Sequence, residues 1–260
     1  MTKTTLGLLL IVTVLSLAAP AAASAPAAER AAAAPSYLYK TTFLRAAPGK
    51  LLDLIALLKD RRAIDQAAGE EPPMWWRHTQ GDQWDLMLLL PMGSYAEYYS
   101  GPRMERRVRA AAASPLPPAE VQARFDADVS WKEDLFVLGP PLETVKKTFY
   151  EAAYYHIEIM VALPGKRSEL HREREMENAY QVAIGRPSWF IFVRDQGAPW
   201  DIFTLGCYRD LQHWASNPEA SKEKRDEAAR QAGFRSSDEI GPYMRTLIDM
   251  HRDTMGVAIK

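Results

Sequence analysis

Pro48-Gly49-Lys50 recurs as Pro164-Gly165-Lys166, and Trp84-Asp85 recurs as Trp200-Asp201, both at an offset of 116 residues. The segments between them align without a gap. Residues 39–100 set against 155–216 share fifteen identities over 62 positions, among them Tyr39/Tyr155, Leu54/Leu170, Gly69/Gly185, Gln80/Gln196, Gly81/Gly197 and Ser100/Ser216. Average residue usage would give roughly four. A repeat of this kind decides the domain count before any motif does. It predicts two related units, residues 36–138 and 153–260, joined by a linker over 139–152 that Gly139-Pro140-Pro141 opens.

Hydrophobic period places the elements within each unit. Tyr37 to Arg45 alternates and is β-rich, and Leu51, Leu54, Ile55 and Leu58 then recur at helical spacing as far as Gly69, a residue suited to end a helix. Two short apolar runs, Pro73 to His78 and Trp84 to Leu90, flank Thr79-Gln80-Gly81-Asp82-Gln83, which has the chemistry of a hairpin turn. Helical patterns over 94–113 and 120–128 follow, then a strand over 131–137. The order is βαββαβ. The second unit repeats it, with strands predicted over 154–161, 188–194, 200–205 and 254–259, a first helix over 166–184, and a helical region over 209–250 broken near Gly233. Met250-His251-Arg252-Asp253-Thr254 is expected as a turn before the last strand.

This order, with Pro-Gly-Lys opening the first helix and a tryptophan at the start of the third strand, resembles the dimeric α/β-barrel superfamily. The resemblance covers nearly the whole chain after the N-terminal leader. It implies an α+β fold of two tandem ferredoxin-like units whose antiparallel sheets pack as an intramolecular α/β barrel, as in NIPSNAP-like and chlorite-dismutase-like fused pairs. Its members include cofactor-free oxygenases, haem-degrading and haem-binding proteins and small-molecule isomerases, so the fold does not name a reaction.

Lys3 precedes an apolar run, Leu6 to Leu17, and Ala23-Ser24-Ala25 fits a small-residue cleavage site. Residues 1–25 therefore read as a signal peptide. The run is too short to span a bilayer, and a flexible Ala-rich leader is expected over 26–35, so the chain is read as periplasmic or secreted without a membrane span. Lys and Arg number 32 against 33 Asp and Glu, and no basic run compensates locally, which argues against nucleic acid as a partner. Cys207 stands alone, which excludes an intramolecular disulfide and multi-cysteine zinc sites. Neither a nucleophile elbow nor a glycine-rich phosphate loop is present.

Strand alternation supplies the candidate site. Tyr155, Ile157, Ile159 and Val161 form an apolar face fit to lie under helices, which leaves Tyr154, His156, Glu158 and Met160 on the other face. The repeat places Lys40, Thr42 and Leu44 with the second set. In the second strands Trp76 and His78 correspond to Phe192 and Arg194, an aromatic-plus-cation pair in each unit. If these faces meet inside a barrel, Lys40, Trp76, His78, Tyr154, Phe192 and Arg194 bind a small apolar or aromatic molecule, with the cations meeting an anionic or carbonyl group. His156 and Glu158 would then be the acid–base pair of an alternative, enzymatic reading as a cofactor-independent oxygenase or isomerase. Trp84 and Trp200 are expected in the core.

On the helix His171-Arg-Glu-Arg-Glu-Met-Glu-Asn178, His171 and Glu175 stand one turn apart and could share an ion with His156 and Glu158. A solvated charged face accounts for them more simply, so no metal site is assigned. His171 and Arg174 nevertheless occupy the positions of Ile55 and Leu58, which the first unit buries. Haem ligation by His171 or His213 is a lesser alternative, as is a purely structural module. His213 suits helix capping. The sequence names no cofactor and leaves a homo-oligomer open.

Overall fold

The computed structural model describes residues 37–216 and 219–260, and the expected signal peptide over 1–25 and leader over 26–35 lie outside the described residues. From the N-terminal side, β1 (Tyr37–Ala46) turns through Pro48-Gly49 into α1 (Leu51–Ala67), then β2 (Met74–Gln80) and β3 (Leu86–Gly93) form the hairpin. Two short helices, α2 (Tyr95–Tyr98) and α3 (Gly101–Ala112), divide at Ser100, and α4 (Pro118–Asp128) runs into β4 (Val129–Gly139). The second half has α5 (Leu142–Glu151), β5 (Tyr154–Ala162), α6 (Arg167–Ala183), β6 (Trp189–Gly197), β7 (Ile202–Tyr208), α7 (Leu211–Ala215), α8 (Lys222–Ala232), α9 (Ile240–Arg245) and β8 (Ile248–Ala258). The repeated Trp-Asp dipeptide has a local cause. Each tryptophan enters the core, while Asp85 and Asp201 accept the backbone N–H of Ala46 and Ala162 at 2.8 and 2.9 Å, tying the end of each first strand to the third.

All pairings are antiparallel and run β1-β3-β2-β8-β5-β7-β6-β4 before returning to β1, so the sheet closes on itself as a barrel. Each half contributes the same strand order, β4-β1-β3-β2 and β8-β5-β7-β6. The halves join where β2 meets β8 and where β6 meets β4. Both seams need a glycine. Gly81 has φ +120°, and a Cβ there would lie 2.2 Å from the Asp253 carbonyl oxygen; Gly197 has φ +105° and would meet the Asp134 carbonyl at 2.6 Å. That close approach explains why the repeat keeps both glycines.

The barrel interior is packed with side chains rather than hollow, as expected for eight strands. Tyr39, Phe43, Trp76, Trp84, Met87, Leu89, Val137, Tyr155, Ile157, Ile159 and Phe192 are fully buried in one cluster with Trp200, Phe203 and Leu205. Phe192 stacks on Phe203 at 4.4 Å, and Trp76 meets Phe149 edge-on at 5.2 Å. This corrects the expected facing. Tyr155, Ile157 and Ile159 point into the barrel rather than beneath helices, and Lys40, Tyr154, His156 and Glu158 lie on the outer face under the helix layer. The apolar residues of β5 go inward because the closed interior is filled by apolar and aromatic side chains, whereas on the helix-covered face the charged groups find partners and partial exposure.

Two further segments differ from expectation. The linker carries a helix, α5, which buries Val145 and Phe149 against the barrel core. The expected turn over 250–254 is strand, since β8 begins at Ile248 and pairs with β5 throughout. Among the described residues no helix is long and apolar enough to cross a membrane.

Candidate functional site

The outer face of each half forms a slot between the sheet and its first helix, and the register makes the two slots comparable residue by residue. In the first, Thr42 lies opposite Leu88 on β3 and Asp134 on β4; in the second, Glu158 lies opposite Thr204 on β7 and Asp253 on β8. Leu44 likewise faces Lys132 where Met160 faces His251. The corresponding sets are therefore Lys40, Thr42, Lys132, Asp134 and His156, Glu158, His251, Asp253, with Leu58 of α1 matched by Arg174 of α6.

In the second slot, side chains fill the space. Glu158 Oε2 accepts from Thr204 Oγ1 at 2.7 Å and from Arg174 Nη1 at 3.5 Å, while His251 Nε2 lies 3.6 Å from Oε1. Arg174, 1% exposed, also donates to Glu173 at 2.7 and 2.9 Å and pairs with Glu177. Burial pushes the Glu158 carboxyl up, but His251, Arg174, His156 and Thr204 together outweigh it and hold the group down at about 2. The neighbouring Glu158 carboxylate raises the His251 imidazole against the opposing effect of burial. The carboxylate that pairs with His156 is Asp253, 3.0 Å from its Nε2, rather than the expected Glu158. These contacts account for the polar helix: Arg174 replaces Leu58 because it must reach Glu158, where the first half has Thr42.

The first slot keeps room. Lys40 and Lys132 both turn to Asp134, at 3.3 and 2.7 Å, and Thr42 Oγ1 donates to it at 2.6 Å. Burial would raise the Asp134 carboxyl, yet the bonds from Lys132 and Thr42 and the charge of Lys40 leave it lowered. Above these groups lies a cavity of about 160 Å³ lined by Leu44, Leu58, Leu88, Leu90 and Trp75 and by the charged side chains of Arg61, Arg62, Arg107, Asp65 and Glu70. Among the described residues none of these three arginines forms an ion pair, although Arg107 donates to the Tyr98 carbonyl and Arg61 lies over the Phe125 ring at 5.7 Å. Trp75 is 3% exposed, and its indole N–H has no hydrogen-bond partner.

The structure thus brings Lys40, Tyr154, His156 and Glu158 to the outer face but divides them between two slots. Trp76 and Phe192 are core residues without solvent access. His78 and Arg194 also face inward, His78 5.5 Å from the Trp84 ring and Arg194 donating to Asp201 at 2.7 Å and to the Ala198 carbonyl. His171 lies on the exposed side of α6, 3.9 Å from Glu175. His213 takes the backbone N–H of Arg209 on Nδ1, and its own N–H is capped by Asp210 at 2.7 Å, as suits a helix start. Sequence reasoning missed Asp253, His251, Thr204 and Trp75. The alternation of Asp249, His251 and Asp253 was the available signal for a strand carrying polar groups on one face.

No protein-family model matches the sequence, and no curated relative matches it. Similarity emerges in three dimensions. An anthrone oxidase-like protein superimposes with a TM-score of 0.53 at 11% identity, covering 88% of this chain and 93% of its own. A chlorite dismutase variant from Candidatus Nitrospira defluvii, in complex with cyanide, gives 0.48 at 11% identity over 87% and 92%. A heme-binding protein from Thermus thermophilus gives 0.41 at 12% identity over 86% and 92%. The chain thus shares its overall fold, a closed antiparallel barrel with helices packed outside it, with the anthrone oxidase-like protein. At this identity the likeness is one of fold.

Proposed function

We propose that this is an exported, internally duplicated α/β-barrel protein that binds a small carboxylate with an aromatic or apolar body, held between the outer sheet face and the helices of its first half. The observation that carries the reading is the cavity at Trp75, with an apolar floor and, at its rim, the guanidinium groups of Arg61, Arg62 and Arg107 outnumbering the carboxylates of Asp65 and Glu70. Leu58 and Leu88 would contact the body of the ligand and the arginines its charge, while the Trp75 N–H would find in the ligand the acceptor it otherwise lacks. The filled barrel interior moves the expected ligand away from the space between the sheets. Lys40 keeps a part in this reading, since its pairing with Asp134 sets the cavity wall. An acid–base enzyme at His156 has less support, because Glu158 is committed to Arg174 and Thr204.

Calorimetric titration with benzoate tests the reading against benzyl alcohol, which has the same ring without the charge. Saturable binding of benzoate at one site, with benzyl alcohol and the Arg61→Ala/Arg62→Ala variant each about tenfold or more weaker, is the expected result, since a bond to a charged group contributes about 1.5–3 kcal/mol. Equal affinity for the two ligands, or none for either, refutes the proposal.

A further inference from the structure

The second slot carries a different chemistry. Four of its polar side chains come from two adjacent strands, His156 and Glu158 from β5 and His251 and Asp253 from β8, each pair two residues apart and hence on one face. Asp253 Oδ1 lies 3.0 Å from His156 Nε2 and 3.7 Å from His251 Nε2, and Glu158 Oε1 lies 3.6 Å from His251 Nε2. One ligand atom each of His156, Glu158 and Asp253 falls within 4.8 Å of the others. A tetrahedral ion with bonds of about 2.0–2.1 Å sets its ligand atoms about 3.3 Å apart. The observed separations bracket that value.

Three features distinguish this cluster from an ordinary surface ion pair. Glu158 uses Oε2 for Thr204 and Arg174, so Oε1 faces the cluster with its orientation fixed from behind, as outer partners fix metal-binding carboxylates. His251 Nε2 is closed to solvent and makes no hydrogen bond. The first half, with the same register and a retained aspartate, has Lys40 and Lys132 where the second has His156 and His251. Lysine ammonium groups have no lone pair to offer, whereas two imidazoles and two carboxylates form a nitrogen–oxygen donor set suited to zinc and its neighbours. The Asp253 side chain is half exposed, which leaves a path to solvent.

We propose that His156, Glu158, His251 and Asp253 bind one divalent transition-metal ion of the zinc class on the outer face of the second half, with Thr204 and Arg174 as positioning residues. The full chain, stripped with a chelator, is titrated with Zn²⁺ by calorimetry and with Co²⁺ by visible absorption. One ion per chain with a tetrahedral Co²⁺ spectrum is expected. His156→Ala and His251→Ala should weaken binding by 100-fold or more, Thr204→Val by about tenfold through lost orientation, and His171→Ala not at all. Asp253→Asn, a near-isosteric change at a half-exposed side chain, should also weaken it by at least tenfold and keeps the test open if a histidine variant fails to fold. Absence of stoichiometric binding, or unchanged affinity in His156→Ala and Asp253→Asn, overturns the proposal.

Discussion

The two outer-face slots share a backbone and part company in their side chains. Each is built from the middle of a first strand, with the third strand on one side and the last on the other, and each keeps an aspartate at the same register position, Asp134 or Asp253. Where the first half sets Leu58 and Leu88 over its slot, the second sets Arg174 and Thr204. Apolar side chains from the helix leave a cavity with guanidinium groups at its rim, whereas the arginine crosses the slot and closes it. The difference teaches that the barrel fixes where a site can be, and that a few outward positions decide whether it is a space or a set of donors.

Reversing the central exchange is the strongest way to break this comparison. Arg174→Leu installs the first-half residue and leaves Glu158 and the fully buried Glu173 without their cation. Removing one partner from a buried ion cluster costs about 3–5 kcal/mol. Urea denaturation should show that loss, and the double variant Glu158→Thr/Arg174→Leu should recover part of it because one stranded carboxylate is gone. A cost below about 1 kcal/mol would mean that packing, and not the ion cluster, seats α6.

A smaller effect is expected at the seams, where the halves should behave alike. Gly81→Ala and Gly197→Ala each force a Cβ against a carbonyl of the other half's last strand, at 2.2 and 2.6 Å, from a backbone conformation that alanine disfavours. A loss of about 2 kcal/mol at each seam is expected, greater at Gly81 where the approach is closer. Thermal unfolding of both variants measures it. If one is neutral while the other is severe, the seams are not equivalent.

How much of this was legible beforehand depended on what each residue's identity reports. The repeat gave the element order because Pro-Gly-Lys, Trp-Asp and the seam glycines serve local geometry, which both halves need. Facing was not legible, because both sides of the sheet are covered. With one face turned to a dry interior and the other to helices, polarity does not reveal which apolar set goes where, and Tyr155, Ile157 and Ile159 were read the wrong way round. His156 and Glu158 were visible as strand neighbours, but their partners Asp253 and His251 sit 97 and 93 residues away from them in sequence, brought close only by the β5–β8 pairing. The cavity was invisible, since it arises from what Leu58 leaves unfilled.

The smallest effect concerns the aspartate that both slots retain. In the first half Asp134 is held ionised by Lys132, Thr42 and Lys40 against the cost of its burial, so its folded pKa lies below the unfolded value of about 3.9. A group depressed in this way contributes stability above its unfolded pKa and loses it as pH falls through the lower folded one. Asp134→Asn should therefore cost about 1 kcal/mol near neutral pH, the scale of a partly exposed charge-assisted cluster. The parent and variant curves of stability against pH should converge below pH of about 4. The sign separates this slot from an adventitious surface contact: an aspartate stabilised only by shape would give parallel curves, offset equally at pH 3 and pH 7. Parallel curves would show that Lys40 and Lys132 do not act on Asp134 through their charge, and the first half would then lose its claim to be the all-lysine counterpart of the histidine cluster.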